Sequence, residues 1–307
     1  MNLRGTAVKR REDDHLLRGS AAFVADLEFD NAAYVHYLTS TSAHAELRSV
    51  DVSSARSMPG VINIFTNSDL DIGPYPSANP IFDEAMIRPL LAHQRVRFVG
   101  EPIAAIVADS PASARDAAEL IEVDYAPLDA VVDPEKALDA EVLLFDNTTE
   151  GNVVCRMEAE GLLVDFDSCE VVTEVRTVNN RLAPAPIETR VAAARWSDDG
   201  RLHCYNAGQG PHPVRAVIAS ILEIDKEQLR VVSRDVGGSF GAKARPSPEE
   251  AILGWIARQV ERPVIWVPSR SDDMVGLGHG RGQIQYCRIG GTQEGKILAY
   301  HLHVVQE

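Results

Sequence analysis

No stretch of this sequence is apolar for long enough to cross a bilayer. A membrane span needs roughly 18 to 20 consecutive apolar residues, and no run in the 307 residues approaches that length. The N-terminal segment MNLRGTAVKRREDDHLLRG is basic but has no apolar stretch behind it, which excludes a secretory signal. Arg10-Arg11 is followed by Glu-Asp-Asp-His, too polar for a twin-arginine leader. These absences predict a cytoplasmic chain. Cysteine is scarce: four residues, at positions 155, 169, 204 and 287, none in a CxxC pair. That spacing fits neither a zinc nor an iron–sulfur site, so the four read as buried or partly buried thiols. Basic residues are also few, 30 against 45 acidic ones, for a net charge of −15. Without a concentrated basic surface to neutralise phosphates, nucleic-acid binding is excluded. There is no internal repeat and no low-complexity segment.

The composition, 45% hydrophobic and 24% charged, can bury a real core, and the length suggests two domains. Residues 20–70 read as strands joined by turns, including Val61–Thr66 after the turn Met58-Pro59-Gly60. Residues 71–95 read as a long loop. A strand is predicted over Ile103–Val107. The helix that follows has Ser110 as cap, Pro111 in the first turn, and Ala114, Ala117, Ala118 and Ile121 on one face. An acidic connector over 136–165 separates a first domain, 1–135, from a second, 166–307. In the second, Asp198-Asp199-Gly200 marks a hairpin turn, and Val214, Val217, Ile218, Ile221 and Leu222 mark an amphipathic helix. Ser247, Pro248 and Glu250 form a capping box that opens one helix over SPEEAILGWIARQVERP. A last hairpin turns near Gly295. The fold class is therefore α+β.

The chemistry centres on two glycine-rich stretches, each between a strand and a helix: AGQGPH (207–212) and RDVGGSFGAK (234–243). Glycines let a backbone approach a ligand closely. The spacing G-G-S-F-G fails the Rossmann fingerprint, and Lys243 is followed by alanine, which fails the Walker pattern. Gln209 offers both donors and an acceptor at a strand end. A helix starting near Pro213 is expected to aim free N–H groups at the same point. Two such mouths suit one large polar ligand held mostly by backbone, such as a pterin cofactor with a pyrophosphate tail. A ligand-free tight turn is the alternative.

These residues carry a family resemblance. RLAPAPIETRVAAARW, QGPH, RDVGGSFGAK with its following Pro-Glu-Glu, and RPVIWVPSRSDDM…HGR resemble the molybdenum-binding large subunit of the xanthine dehydrogenase and aldehyde oxidase family. RLAPAPIETR looks most like the carbon monoxide dehydrogenase branch. Upstream, REDDHLLRGSAAFVADL, AHAELRSVDVSSARSMPGVINIFT and VGEPIAAIVADSPASARDAAELIEVDYAPLDAV resemble that family's a/b hammerhead domain, in order. The resemblance covers nearly the whole chain. It implies an N-terminal a/b hammerhead domain followed by the first, incomplete part of a molybdopterin-binding domain.

By resemblance, Gln209 matches the glutamine whose amide approaches an oxo ligand of molybdenum, flanked by Gly208 and Gly210. Gly237, Gly238, Phe240 and Gly241 match the loop that lies against the molybdopterin, with Phe240 beside the metal. Ser239 departs from the pattern, standing where a third glycine is usual. The resemblance implies a molybdenum–molybdopterin cytosine dinucleotide, with FAD on a medium partner subunit and [2Fe–2S] clusters on a small one. Electrons from hydroxylation of an electron-poor carbon would leave through the clusters to the flavin. The family's catalytic glutamate and its substrate loop, with the copper-binding cysteine of carbon monoxide dehydrogenases, are expected outside this chain. No residue here is therefore assigned a catalytic or metal-ligating role. Glu249 and Glu250 read as first-turn helix charges, His212 and His279 as structural, and Trp196, Trp255 and Trp266 as core. The missing remainder of the molybdenum subunit is then a partner. The alternative is a non-catalytic remnant, or an assembly and interaction module for the flavin and iron–sulfur subunits.

Overall fold

The computed structural model describes residues 4–159 and 165–307; part of the acidic connector, 160–164, lies outside the described residues. In chain order the elements are α1 (Asp13–Leu17), β1 (Ala33–Thr39), β2 (Ala45–Asp51), α2 (Ser53–Arg56), β3 (Val61–Thr66), β4 (Arg95–Val96), β5 (Pro102–Ala108), α3 (Pro111–Ala118), β6 (Glu122–Pro127) and α4 (Pro134–Ala137). There follow β7 (Val171–Asn179), β8 (Ala192–Trp196), β9 (Leu202–Asn206), α5 (Pro211–Ile221), β10 (Leu229–Val232), α6 (Pro248–Ala251), α7 (Leu253–Val260), β11 (Val264–Trp266), α8 (Arg270–Gly276), β12 (Gln283–Gly291) and β13 (Ile297–Gln306).

A seven-stranded mixed sheet runs β10-β9-β8-β11-β1-β5-β3. Strands from both sides of the acidic connector share it: β1 lies parallel to β11, with Ala33 opposite Val264 and Val35 opposite Trp266. β5 explains its own composition. All seven of its residues are buried. Ala105 and Val107 feed the core that holds Tyr37, Trp255 and Trp266, while Ala104, Ile106 and Ala108 feed a second core against α3. A strand covered on both faces has no reason to alternate with polar residues. α3 begins as its sequence dictates: Ser110 accepts from the Ser113 amide, Pro111 fills the first turn, and Ala114, Ala117 and Ala118 face inward.

The large core closes on aromatic edges, Phe65 on Trp255 at 4.8 Å and Tyr37 on Trp266 at 5.5 Å. Trp255 and Trp266 are buried; Trp196 is half-buried and donates its indole N–H to the Gly254 carbonyl at 2.8 Å. The single helix expected after Ser247 is instead two segments, α6 and α7. Ile252 between them has ψ −5°. Its amide still bonds to Pro248 and its carbonyl still accepts from Ile256, so the rod bends and its apolar face stays in register. Two smaller sheets complete the molecule, β4-β2-β6 and β13-β12-β7.

Candidate functional site

β9, α5 and β10 form one crossover unit. β9 and β10 are parallel neighbours, Leu229 opposite Leu202 through Val232 opposite Tyr205. Their C-terminal ends therefore lie side by side, the place where ligands gather on parallel strands. The stretch 207–210 leaves the end of β9, and 234–243 follows the end of β10. Sequence separates Gln209 and Ser239 by thirty positions; topology makes them neighbours.

Three hydrogen bonds tie the two mouths into a closed ring. The Gln209 amide nitrogen of the backbone donates to the Lys243 carbonyl at 3.0 Å. The Lys243 backbone N–H donates to Ser239 Oγ at 3.2 Å. Ser239 Oγ donates to Gln209 Oε1 at 2.7 Å. Lys243 is itself anchored. Its side chain is 1% exposed, and Nζ donates to the Glu188 carbonyl at 2.8 Å, with Glu188 Oε2 3.7 Å away. Glu188 Oε2 accepts from the Gly237 amide at 2.7 Å, and the Glu188 amide returns a bond to the Gly237 carbonyl at 3.1 Å. Burial pushes the Glu188 carboxyl up and the Lys243 ammonium down from their ordinary values. Glu188 Oε1 is buried without a partner among the described residues. His15 and the Ala22 amide hold Asp235 at 2.8 Å each, fastening the N-terminal segment to the approach of the glycine loop.

The glycines divide into two kinds. Gly208 and Gly237 are small because of the protein's own packing: a Cβ on Gly208 collides with the Asn206 side-chain amide, and one on Gly237 meets Glu188 Cβ at 2.5 Å. Gly238 and Gly241 are set by conformation, with φ +104° and +94°, values that L side chains avoid. A Cβ on Gly210 would meet only Pro213, at 3.7 Å. Phe240 shares the left-handed backbone, φ 52°, and the residue is 76% exposed.

Among the described residues, the backbone N–H groups of Gly238, Ser239, Phe240 and Gly241 donate to no protein acceptor, and neither does the Gln209 side-chain amide. Unspent donors around one opening suit a ligand rich in oxygen and negative charge. An oxo-metal centre on a pterin with a phosphate tail fits that donor set. The contribution of α5 is smaller than its position suggests. The helix starts at Pro211 and not near Pro213, and both prolines lack an N–H, so the His212 amide is the donor left in its first turn. The four cysteines are free, Cys204 buried and the rest half-buried, and no group of three or more metal-binding side chains clusters among the described residues. A separate cleft of about 440 Å³ between β1, α3 and α8 contains none of the site residues.

The family model for the molybdopterin cofactor-binding domain matches residues 145–307, more than half the chain. The chain belongs to that family. Residues 18–129 match the aldehyde oxidase and xanthine dehydrogenase a/b hammerhead domain. The order is hammerhead first and molybdopterin-binding region second, as the resemblance implied. The chain is 32% identical over 311 residues to the nicotine 6-hydroxylase large subunit of Paenarthrobacter nicotinovorans, covering 99% of this chain and 38% of that protein. It is 29% identical to the carbon monoxide dehydrogenase large chain of Afipia carboxidovorans, covering 99% and 39%. The crystal structure of quinoline 2-oxidoreductase from Pseudomonas putida 86 superposes with a TM-score of 0.91 at 34% identity, again over 99% of this chain and 39% of that one. The chain thus spans about two fifths of the length of these relatives and corresponds to their N-terminal portion. No helix among the described residues is long and apolar enough to cross a membrane.

Of the residues singled out from sequence, Gln209 and the 237–241 loop come together through Ser239. His279 hydrogen-bonds the Met274 carbonyl at 3.2 Å, and His212 is exposed. Glu188, Lys243 and His15 carry the support of the site and were not singled out. A charged pair inside two loop motifs was a readable signal for the first two; His15 had none.

Proposed function

We propose that this chain supplies one wall of the cofactor site of a molybdenum hydroxylase large subunit. Gln209 would offer its side-chain amide to an oxygen of the bound group. The N–H groups of Gly238 to Gly241 and the side chain of Phe240 would help to hold the group, and Gly208, Gly210 and Gly237 would leave room for it. The bound molybdenum group supplies the redox and oxygen-transfer chemistry. This chain's residues bind it, orient it and keep water off its edge. The observation that carries the reading is the hydrogen-bonded ring joining two loop ends, beside which the N–H groups of Gly238 to Gly241 and the Gln209 side-chain amide find no acceptor among the described residues.

The cytosine dinucleotide form of the cofactor, FAD on a medium subunit, [2Fe–2S] clusters on a small subunit and a cytoplasmic location belong to the same proposal. The chain alone is incomplete for catalysis in this reading, and the general base comes from polypeptide equivalent to the relatives' remaining length. One observation favours the second reading, an assembly module. The β13-β12-β7 sheet leaves an apolar face uncovered: Val175, Ile289, Tyr300, Leu302 and Val304 are 37–52% exposed. Such a face is an interaction surface by its chemistry. Metal and pterin analysis separates the two. Molybdenum is expected in the chain purified together with the remaining polypeptide. Its absence there, in a folded complex, leaves the assembly reading.

A further inference from the structure

We infer that Ser239 is a positioning residue that locks the Gln209 side-chain amide with its NH₂ group facing the mouth. The inference rests on the reading of Gln209 as a cofactor contact. A glutamine amide can present either end, and an exposed one ordinarily rotates. Here the choice is made by the serine's single proton. The Lys243 backbone N–H can only donate, and it donates to Ser239 Oγ at 3.2 Å. The hydroxyl must then place its own hydrogen on an acceptor. Gln209 Oε1, 2.7 Å away, takes it. With the amide reversed, two donors would converge on the hydroxyl, and its proton would have no acceptor among the described residues.

The lock is rigid at its other points. Ser239 is buried, the Gln209 backbone is pinned to the Lys243 carbonyl, and Lys243 is held by Glu188. The outcome adds two fixed amide hydrogens from Gln209 to the free N–H groups of Gly238 to Gly241. That donor set favours acceptor ligands, an oxo group or a phosphate oxygen. The hydroxyl at position 239 is thus a gain in preorganisation, and a glycine in its place leaves the amide free to turn.

The test uses the full chain and its variants S239G, S239T and Q209M. Side-chain ¹⁵N relaxation of glutamine-labelled protein reads the amide directly, and the Gln209 pair is assigned by its loss in Q209M. In the native chain and S239T the amide is expected to be restricted, with an order parameter near about 0.8; in S239G it falls below about 0.6. Equal restriction in S239G and the native chain overturns the inference. S239G remains decisive if S239T fails to fold. Molybdenum retention in the chain purified with the remaining polypeptide gives the second reading. S239G is expected to weaken it about threefold to tenfold and to have no further effect in the Q209M background. An equal loss in both backgrounds shows that Ser239 acts through the loop and sinks the idea. A native complex that takes up no molybdenum overturns the functional reading, and the relaxation result then decides the amide orientation by itself.

Discussion

Phe240 is built against two ordinary preferences at once. The residue is 76% exposed, and its backbone sits at φ 52°. Exposure of one aromatic ring loses burial, and the left-handed region costs a bulky residue roughly 1–2 kcal/mol. Such strain collects where a ligand is held. Asparagine tolerates that backbone, so Phe240→Asn is expected to leave unfolding stability unchanged or raise it by up to about 1 kcal/mol, measured by chemical denaturation. The same variant is expected to lose cofactor retention. A clear loss of stability would show that the ring serves the fold. Ser239 beside it illustrates what sequence could and could not give. Its place in a glycine run is legible, as a serine standing where the resemblance implies a third glycine. Its partner lies thirty positions away, and no local pattern reports a hydrogen bond made across two loop ends.

At the scale of elements, the reading was good wherever the cause was local. The Ser110 cap, the hairpin with Gly200 at φ +80° and the capping box at Ser247 all follow from neighbouring residues. It was weaker where the cause was distant. Glu249 and Glu250 read as first-turn charges, and Glu250 does close the capping box, its carboxylate accepting from the Ser247 amide at 2.6 Å. Glu249 has a larger task. Arg190 donates to it at 3.0 Å and to Asp273 of α8 at 2.9 Å, with all three side chains 5% exposed or less. Removing one partner from such a cluster strands buried charge. Arg190→Leu is expected to cost about 3–5 kcal/mol in equilibrium unfolding.

Glu250 adds a pH dependence. Burial pushes its carboxyl from an ordinary 4.5 up to about 7. The folded state therefore favours the neutral acid, and the unfolded chain ionises first as pH rises. Stability from this group is full below pH 4.5 and declines as pH rises through about 7. The loss amounts to about 3 kcal/mol by pH 8. Glu250→Gln keeps an acceptor for the Ser247 amide and cannot ionise, so its unfolding free energy is expected to exceed the native value increasingly from pH 5 to pH 8. Parallel pH profiles for the two proteins would show that Glu250 ionises normally in the fold.

At the scale of the whole molecule, the most telling feature is the sheet β13-β12-β7. Its register sorts the side chains by face. Paired residues share a side, so Val175, Cys287 and Leu302 form one row and Thr173, Ile289 and Tyr300 the next. On the opposite face lie Glu174, Arg288 and His301, with Arg288 reaching Glu174 at 2.9 Å. That second face also carries Val172, Val178 and Tyr286, 37–52% exposed, and the buried Ile284, Ala299 and Val305, so both faces are mixed; the first holds the longer row of exposed apolar side chains, Val175, Ile289, Tyr300, Leu302 and Val304. The sequence predicts the hairpin but not which face lacks a cover, because apolar residues fall on both faces and cover comes from the rest of the fold. An open apolar face with a free edge strand promotes association between copies. The purified chain is expected to associate with rising concentration in sedimentation velocity runs. Tyr300→Lys with Leu302→Lys, two changes on the edge strand β13, is expected to suppress that association. Both sites are solvent-exposed, 52% and 43%, so folding stability should stay within about 0.5 kcal/mol per change. His301→Lys, between them but on the opposite face, is the control and should leave association unaltered. If the control disperses the chain as well as the double variant does, net charge and not the apolar face governs association, and the sheet needs no partner.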